Sequence, residues 1–120
     1  MAGKIIADTL EHSTAGSLTT DYVVNGSAKC FSVHGTDAVL VQGLNVTSIT
    51  DQGTGSFDTN YTNSFSSGQN AFISNQYGTS TVGFTYIRTA ATSYHRVNAY
   101  NSSGTAHDKP VASTVHGDLA

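Results

Sequence analysis

From residue 28 onward, apolar and polar positions alternate with a period of two, which is the pattern of half-buried β-strands. Over 28–34, Lys29, Phe31 and Val33 share one face, with Cys30 and Ser32 opposite. Phe57, Thr59 and Tyr61 alternate with Ser56, Asp58 and Asn60. A strand is predicted over 71–74. Val82, Phe84 and Tyr86 then alternate with Gly83, Thr85 and Ile87. In the next strand His95, Val97 and Ala99 alternate with Tyr94, Arg96, Asn98 and Tyr100. The last strand, over 110–116, puts Val111, Ser113 and Val115 on one face. The run 38–42 is continuously apolar and reads as a strand buried on both faces. It breaks at Gly43 and resumes over 44–49.

Turn chemistry punctuates these segments. Asn25-Gly26 closes a short strand predicted at Tyr22-Val23-Val24, and Gly35-Thr36-Asp37 follows the next. Asp51-Gln52-Gly53-Thr54-Gly55, Ser66-Ser67-Gly68-Gln69-Asn70, Tyr77-Gly78-Thr79-Ser80 and Asn101-Ser102-Ser103-Gly104 mark later reversals. Seven or eight short strands, with turns every ~8–12 residues, predict an all-β fold. The expected architecture is an antiparallel β-sandwich, jelly-roll or immunoglobulin-like. A parallel sheet would need crossover helices, and none is visible.

The first 21 residues do not follow this pattern. Residues 5–12 fit either a short helix or an extended arm, and 13–20 form a polar, flexible connector. The predicted organisation is an arm over 1–21 and one sandwich domain over 22–120, as a chain of this length permits.

Composition narrows the function. Only 11% of residues are charged, and the five Lys and Arg, Lys4, Lys29, Arg88, Arg96 and Lys109, are scattered. That excludes the clustered basic face of a nucleic-acid-binding protein. Ser, Thr, Asn and Gly replace the missing charge. Such a composition also occurs in disordered chains, but eleven aromatics and a single Pro oppose that reading. Cys30 has no partner for an internal disulfide and sits in an apolar run, as a buried small hydrophobe would. The start lacks the apolar stretch of a secretory signal, and no segment approaches the ~20 apolar residues that span a bilayer. Folding in a reducing cytoplasm and no membrane partner are expected.

Reactive constellations are scarce. The histidines are His12, His34, His95, His107 and His116, with no zincin spacing and no paired cysteines. His34 and His116 both end predicted strands, so a metal site there would need Asp37 or Asp118 to join them; the ordinary reading is strand-end histidines. The Gly53-Thr54-Gly55-Ser56 stretch lacks the Lys and following helix of a phosphate loop. There is no nucleophile elbow, and Asp51 and Asp58 are explained as turn formers. No catalytic residue, cofactor or metal is expected. The tyrosines offer the other chemistry. Tyr77, Tyr94 and Tyr100, with Asn and Thr neighbours, could stack on sugar rings and hydrogen-bond their hydroxyls.

One stretch also carries a resemblance. Gly26-Ser27-Ala28-Lys29 and Phe31 precede Asn45-Val46-Thr47-Ser48-Ile49-Thr50-Asp51-Gln52-Gly53-Thr54-Gly55-Ser56-Phe57. This string, followed by strands over 82–89 and 94–101 and an Asn-Ser-x-Gly turn at 101–104, resembles a tail-fibre or virion structural module of tailed bacteriophages, of cyanophage type. The likeness covers residues 22–116 and is most specific over 45–57. It departs where the family often has Trp after the Ala-Lys pair, here Cys30-Phe31, and where a Pro-containing turn is replaced by 66–70.

The resemblance implies a role in the particle and no reaction. The expectation is a non-enzymatic virion structural protein, assembled in the host cytoplasm. It would be a head-decoration or cement subunit or a tail-fibre component. Its expected partners are copies of itself, a trimer among the arrangements, and other virion proteins. Ile5, Ile6 and Leu10 on the arm are the expected attachment residues, since exposed apolar side chains burden a free monomer. The alternative is a lectin-like host-recognition module using Tyr77, Tyr94 and Tyr100 on a host surface glycan.

Overall fold

A computed structural model describes residues 3, 6–78 and 82–120, and of His12 the backbone alone. Among the described residues, ten strands and one short helix follow one another. The strands are β1 (Thr9–His12), β2 (Gly16–Thr19), β3 (Cys30–His34), β4 (Leu40–Leu44), β5 (Val46–Asp51), β6 (Ser56–Tyr61), β7 (Ala71–Gln76), β8 (Gly83–Ala90), β9 (Tyr94–Asn101) and β10 (Val111–His116). The helix α1 (Thr20–Gly26) lies between β2 and β3.

Eight strands build two four-stranded sheets, ordered β4-β3-β10-β7 and β5-β6-β9-β8, in which every neighbouring pair is antiparallel. The all-β sandwich read from the alternation is the observed fold. Along one side the chain passes from β4 to β5 at Asn45, whose backbone takes φ +57°. The Asn45 amide pins this corner: its Oδ1 accepts from the Asn63 N–H (2.7 Å) and its Nδ2 donates to the Asn63 carbonyl (3.0 Å). Along the other side side chains join β7 to β8. The Thr85 hydroxyl donates to the Ser74 carbonyl at 2.9 Å, and Gln76 Nε2 donates to the carbonyls of Phe84 (3.0 Å) and Tyr100 (2.9 Å).

The turn at 51–55 works as its glycines require. Asp51 Oδ1 accepts from the Gly53 N–H at 2.8 Å, and Gly53 and Gly55 take φ +111° and +69°. A Cβ on Gly55 would lie 2.5 Å from the Ala99 carbonyl oxygen. That close approach seats the turn against β9, where the Ala99 N–H donates to the Gly55 carbonyl at 2.7 Å.

The core contains polar groups throughout. One apolar cluster holds Cys30, Tyr61, Phe65 and Val115, flanked by Val46 and Phe72. A second holds Val97, Ala99 and Val111, flanked by Ile87. Ser32, Thr59, His95 and Ser113 are buried as well. Each of them hydrogen-bonds another buried side chain, which offsets the cost of drying it.

Two predicted elements differ. The run 38–42 is not a strand buried on both faces: β4 is an edge strand, with Val39, Val41 and Leu44 exposed. At an edge, β4 has a strand neighbour on one side only, and its residues from Val41 to Leu44 are all exposed. The short strand predicted at Tyr22-Val23-Val24 is helical instead. No sheet edge receives that segment. Asp21 in the first turn suits the helix N-terminus, and the Ser27 N–H closes the last turn on the Val23 carbonyl at 3.2 Å. Of residues 5–12, read as helix or extended arm, the last four form β1.

Candidate functional site

Three arrangements of side chains stand out: an apolar arm, a buried polar relay and an aromatic strip on the outer face of one sheet.

The arm is built from β1, β2 and α1. β1 and β2 pair as a hairpin with Leu10 directly opposite Leu18. The Thr20 hydroxyl donates to the Ala7 carbonyl at 2.8 Å, and its N–H donates to the Asp8 carbonyl at 3.0 Å. Those bonds tie the start of α1 to the hairpin. Neither β2 nor α1 contains a buried residue. Ile6 is 81% exposed and Tyr22 69%, and Leu10, Leu18, Val23 and Val24 are exposed too. The radius of gyration is 16.8 Å, against ~14 Å for a compact chain of this length. Of the expected attachment residues, Ile6 and Leu10 are exposed on the arm; Ile5 lies outside the described residues. Leu18, Tyr22, Val23 and Val24 join them. In the sequence their flanking polar residues disguised Leu18 as linker, and β-branched Val23 and Val24 mimicked a strand.

The relay runs between the sheets. Tyr61 Oη lies 2.9 Å from His95 Nδ1, and His95 Nε2 lies 3.0 Å from Ser113 Oγ. Ser113 Oγ is 2.8 Å from Ser32 Oγ, which is 3.4 Å from Thr59 Oγ1. Burial lowers the His95 pKa to about 4, the nearby His34 adding to the effect and Asp58 opposing it. Desolvation also lowers His34. The His34 ring donates through Nδ1 to the Gly35 carbonyl at 2.9 Å, which leaves buried Nε2 without a hydrogen-bond partner. A serine beside a histidine is a nucleophile's pairing, but His95 is fully buried and Ser113 nearly so. The relay holds the two sheets in register: Tyr61 and His95 come from one, Ser113 and Ser32 from the other.

Cys30 is buried, and desolvation pushes its thiol up to about 12, so it behaves as a hydrophobe. The pairing considered for His34 and His116 does not form. In the β3–β10 register His34 faces Val111 while Cys30 faces Val115, so the two histidines sit at opposite ends of the sheet. Among the described residues, no group of three or more His, Cys, Asp or Glu could hold a metal ion. No helix among them is long and apolar enough to cross a membrane.

On the outer face of the β5-β6-β9-β8 sheet, alternation brings Tyr94, Arg96, Asn98 and Tyr100 to the same side of β9. Arg96 grips Asp58 with two parallel bonds, Nε to Oδ1 at 2.5 Å and Nη2 to Oδ2 at 2.7 Å. Further along, the Tyr100 ring stacks between Phe84 and Tyr86, with centroids 5.4 and 5.7 Å away and planes within 11° and 16° of parallel. Asn98 Nδ2 donates to the Tyr100 oxygen at 3.4 Å. Hydrogen bonds from Asn98 and Tyr86 lower the Tyr100 pKa, and the bond to Tyr100 raises that of Tyr86. Arg88 lies close enough to favour ionisation of both hydroxyls. Of the tyrosines expected to meet sugar, Tyr100 joins this strip and Tyr94 shares its face. Tyr77 is apart, its hydroxyl donating to the His34 carbonyl at 3.3 Å. Tyr86 is one of the five tyrosines spread from Tyr61 to Tyr100, whereas Phe84, Arg88 and Asn98 carry no such signal, because alternation alone does not say which side of a strand faces out.

Comparison with known proteins yields no matching family model, no matching curated protein and no matching solved structure.

Proposed function

We propose that the chain is a non-enzymatic assembly subunit: a virion structural protein of a tailed phage, serving as a head-decoration or cement subunit or a tail-fibre component. The observation that carries this reading is the arm. A sandwich that closes its own core projects a hairpin and helix with exposed Ile6, Leu10, Leu18, Tyr22 and Val24 and no buried residue in β2 or α1. Apolar surface of that kind is stabilised when it is covered by a partner. Copies of the same chain are the first partner, since identical subunits in closed symmetry present identical receiving surfaces. The resemblance over 45–57 supplies the particle, and the sandwich supplies a unit that folds without disulfides. On this reading the protein acts in the virion after assembly in the host cytoplasm.

Light scattering on the full chain and on a Leu10→Asp/Leu18→Asp variant tests the proposal. The two leucines lie on an exposed hairpin outside both sandwich sheets, so the variant is expected to keep the sandwich. The wild type is expected as a multimer and the variant as a monomer. Equal masses for both would remove the arm from the assembly.

A further inference from the structure

The aromatic strip on the outer face of the second sheet has a composition that the arm does not explain. Phe84 and Tyr86 are exposed, about half of each side chain being open to water. They stand on β8, and Tyr100 on β9 packs between them. Burying large aromatic surface is favourable, so a sheet facing only solvent would more usually carry small polar residues here. The β5–β6 side of this face does so, with Asn60 Nδ2 donating to the Ser48 and Thr50 hydroxyls.

Charge separates the strip from its surroundings. Arg96 is committed to Asp58 in a two-point ion pair. Arg88, by contrast, forms no ion pair among the described residues, and its charge reaches the hydroxyls of Tyr86 and Tyr100. It stands where the β8–β9 register shifts, between Ile87 and Thr89. A bulge re-aims a side chain in this way. The chain as a whole carries −3, so this is a local cation on an acidic protein. Near-parallel rings, two phenolic hydroxyls and the Arg88 guanidinium lie together, with the buried Asn98 amide holding the Tyr100 hydroxyl from beneath.

We propose that this strip, Phe84, Tyr86, Tyr100 and Arg88, binds an acidic polysaccharide. The apolar face of a sugar ring would pack on the exposed aromatics, and the phenolic groups would meet its hydroxyls. The Arg88 guanidinium would receive the carboxylate of a uronic-acid unit. The charge complementarity chooses the ligand. A single cation suits spaced carboxylates and falls far short of the row of basic residues that a nucleic-acid backbone requires. The site is independent of the arm, so it would work in monomer and multimer alike.

Affinity electrophoresis of the full chain through gels containing polygalacturonate or neutral dextran tests this. Polygalacturonate is expected to retard the wild type and dextran to leave it unaffected. Arg88→Gln is expected to weaken retention about tenfold, as loss of one hydrogen bond to a charged group does. Tyr86→Ala is expected to weaken it as well. Both positions are exposed; should Tyr86→Ala fold poorly, Arg88→Gln decides alone. Retention by polygalacturonate that survives Arg88→Gln undiminished, equal retention by dextran, or no retention of the wild type at any polygalacturonate concentration would each overturn the proposal.

Discussion

Acid should loosen this sandwich through His95. The ring is fully buried and bridges the sheets, with Tyr61 Oη on one nitrogen and Ser113 Oγ on the other. A neutral imidazole has one donor and one acceptor, which this pair of hydroxyls can satisfy. A protonated ring has two donors and a charge with no carboxylate in hydrogen-bond reach. Its pKa accordingly falls from 6.5 to about 4 on folding. Because the folded value is the lower one, the unfolded chain takes up the proton first as pH drops. Stability is therefore whole above pH ~6.5 and drains away between there and pH ~4, below which both states are protonated. At ~1.4 kcal/mol per unit, the shift amounts to about 3 kcal/mol. His34, lowered by its own burial and lacking a partner at Nε2, pushes in the same direction. Urea denaturation followed by tyrosine circular dichroism at steps from pH 7 to 4 would read the loss. A His95→Gln variant isolates it, because glutamine cannot titrate. The variant should start less stable, and the gap to wild type should close by about 3 kcal/mol across the window. Parallel curves for the two proteins would refute the assignment of acid sensitivity to His95.

Three other consequences can be measured. Gly55→Ala meets the Ala99 carbonyl in a left-handed backbone, whereas a Cβ on Gly53, also left-handed, meets nothing within 4 Å. Gly55→Ala should cost more than about 2 kcal/mol of unfolding free energy by urea denaturation, and clearly more than Gly53→Ala; the reverse ranking contradicts the packing of that turn. Cys30, buried with its thiol pushed up to about 12, should resist a thiol reagent until the chain is unfolded, and immediate labelling of native protein would contradict its burial. Arg96→Met strands the buried Asp58 carboxylate, so it should lower the melting temperature more than Arg88→Met does, which a pair of thermal melts would decide.

Much of the fold was legible because period two leaves few other choices. Phe57, Thr59 and Tyr61 share the inner face, as do Val111, Ser113 and Val115, and the Asn101 turn forms with Asn101 Oδ1 accepting from the Ser103 and Thr105 N–H groups. What alternation leaves open is direction. On β3 the inner face carries Cys30, Ser32 and His34, and the larger apolar Phe31 and Val33 are only half covered. On β8 the inner face carries Gly83, Thr85 and Ile87, and Phe84 and Tyr86 point out. Hydrophobicity misjudges both strands because the interior is partly a hydrogen-bonded network, whose partners come from strands far apart in the chain. Ser32 and Ser113 are 81 positions apart. The candidate sites were legible to different degrees for the same reason. Ile6 and Leu10 stand out locally as apolar residues in a polar segment. The strip of Phe84, Tyr86 and Tyr100 exists only once β8 and β9 are paired.

On the proposed function the arm exists to be covered by a partner while the sandwich sustains itself. Hydrogen–deuterium exchange on the full chain, at dilute and concentrated conditions, tests it most directly. Amides of β3, β6, β9 and β10 are expected to be protected at both concentrations, and amides of 9–26 to exchange quickly when dilute and become protected as the chain associates. Association with the arm still exchanging freely, or an arm as protected as the sheets in the dilute monomer, would contradict it.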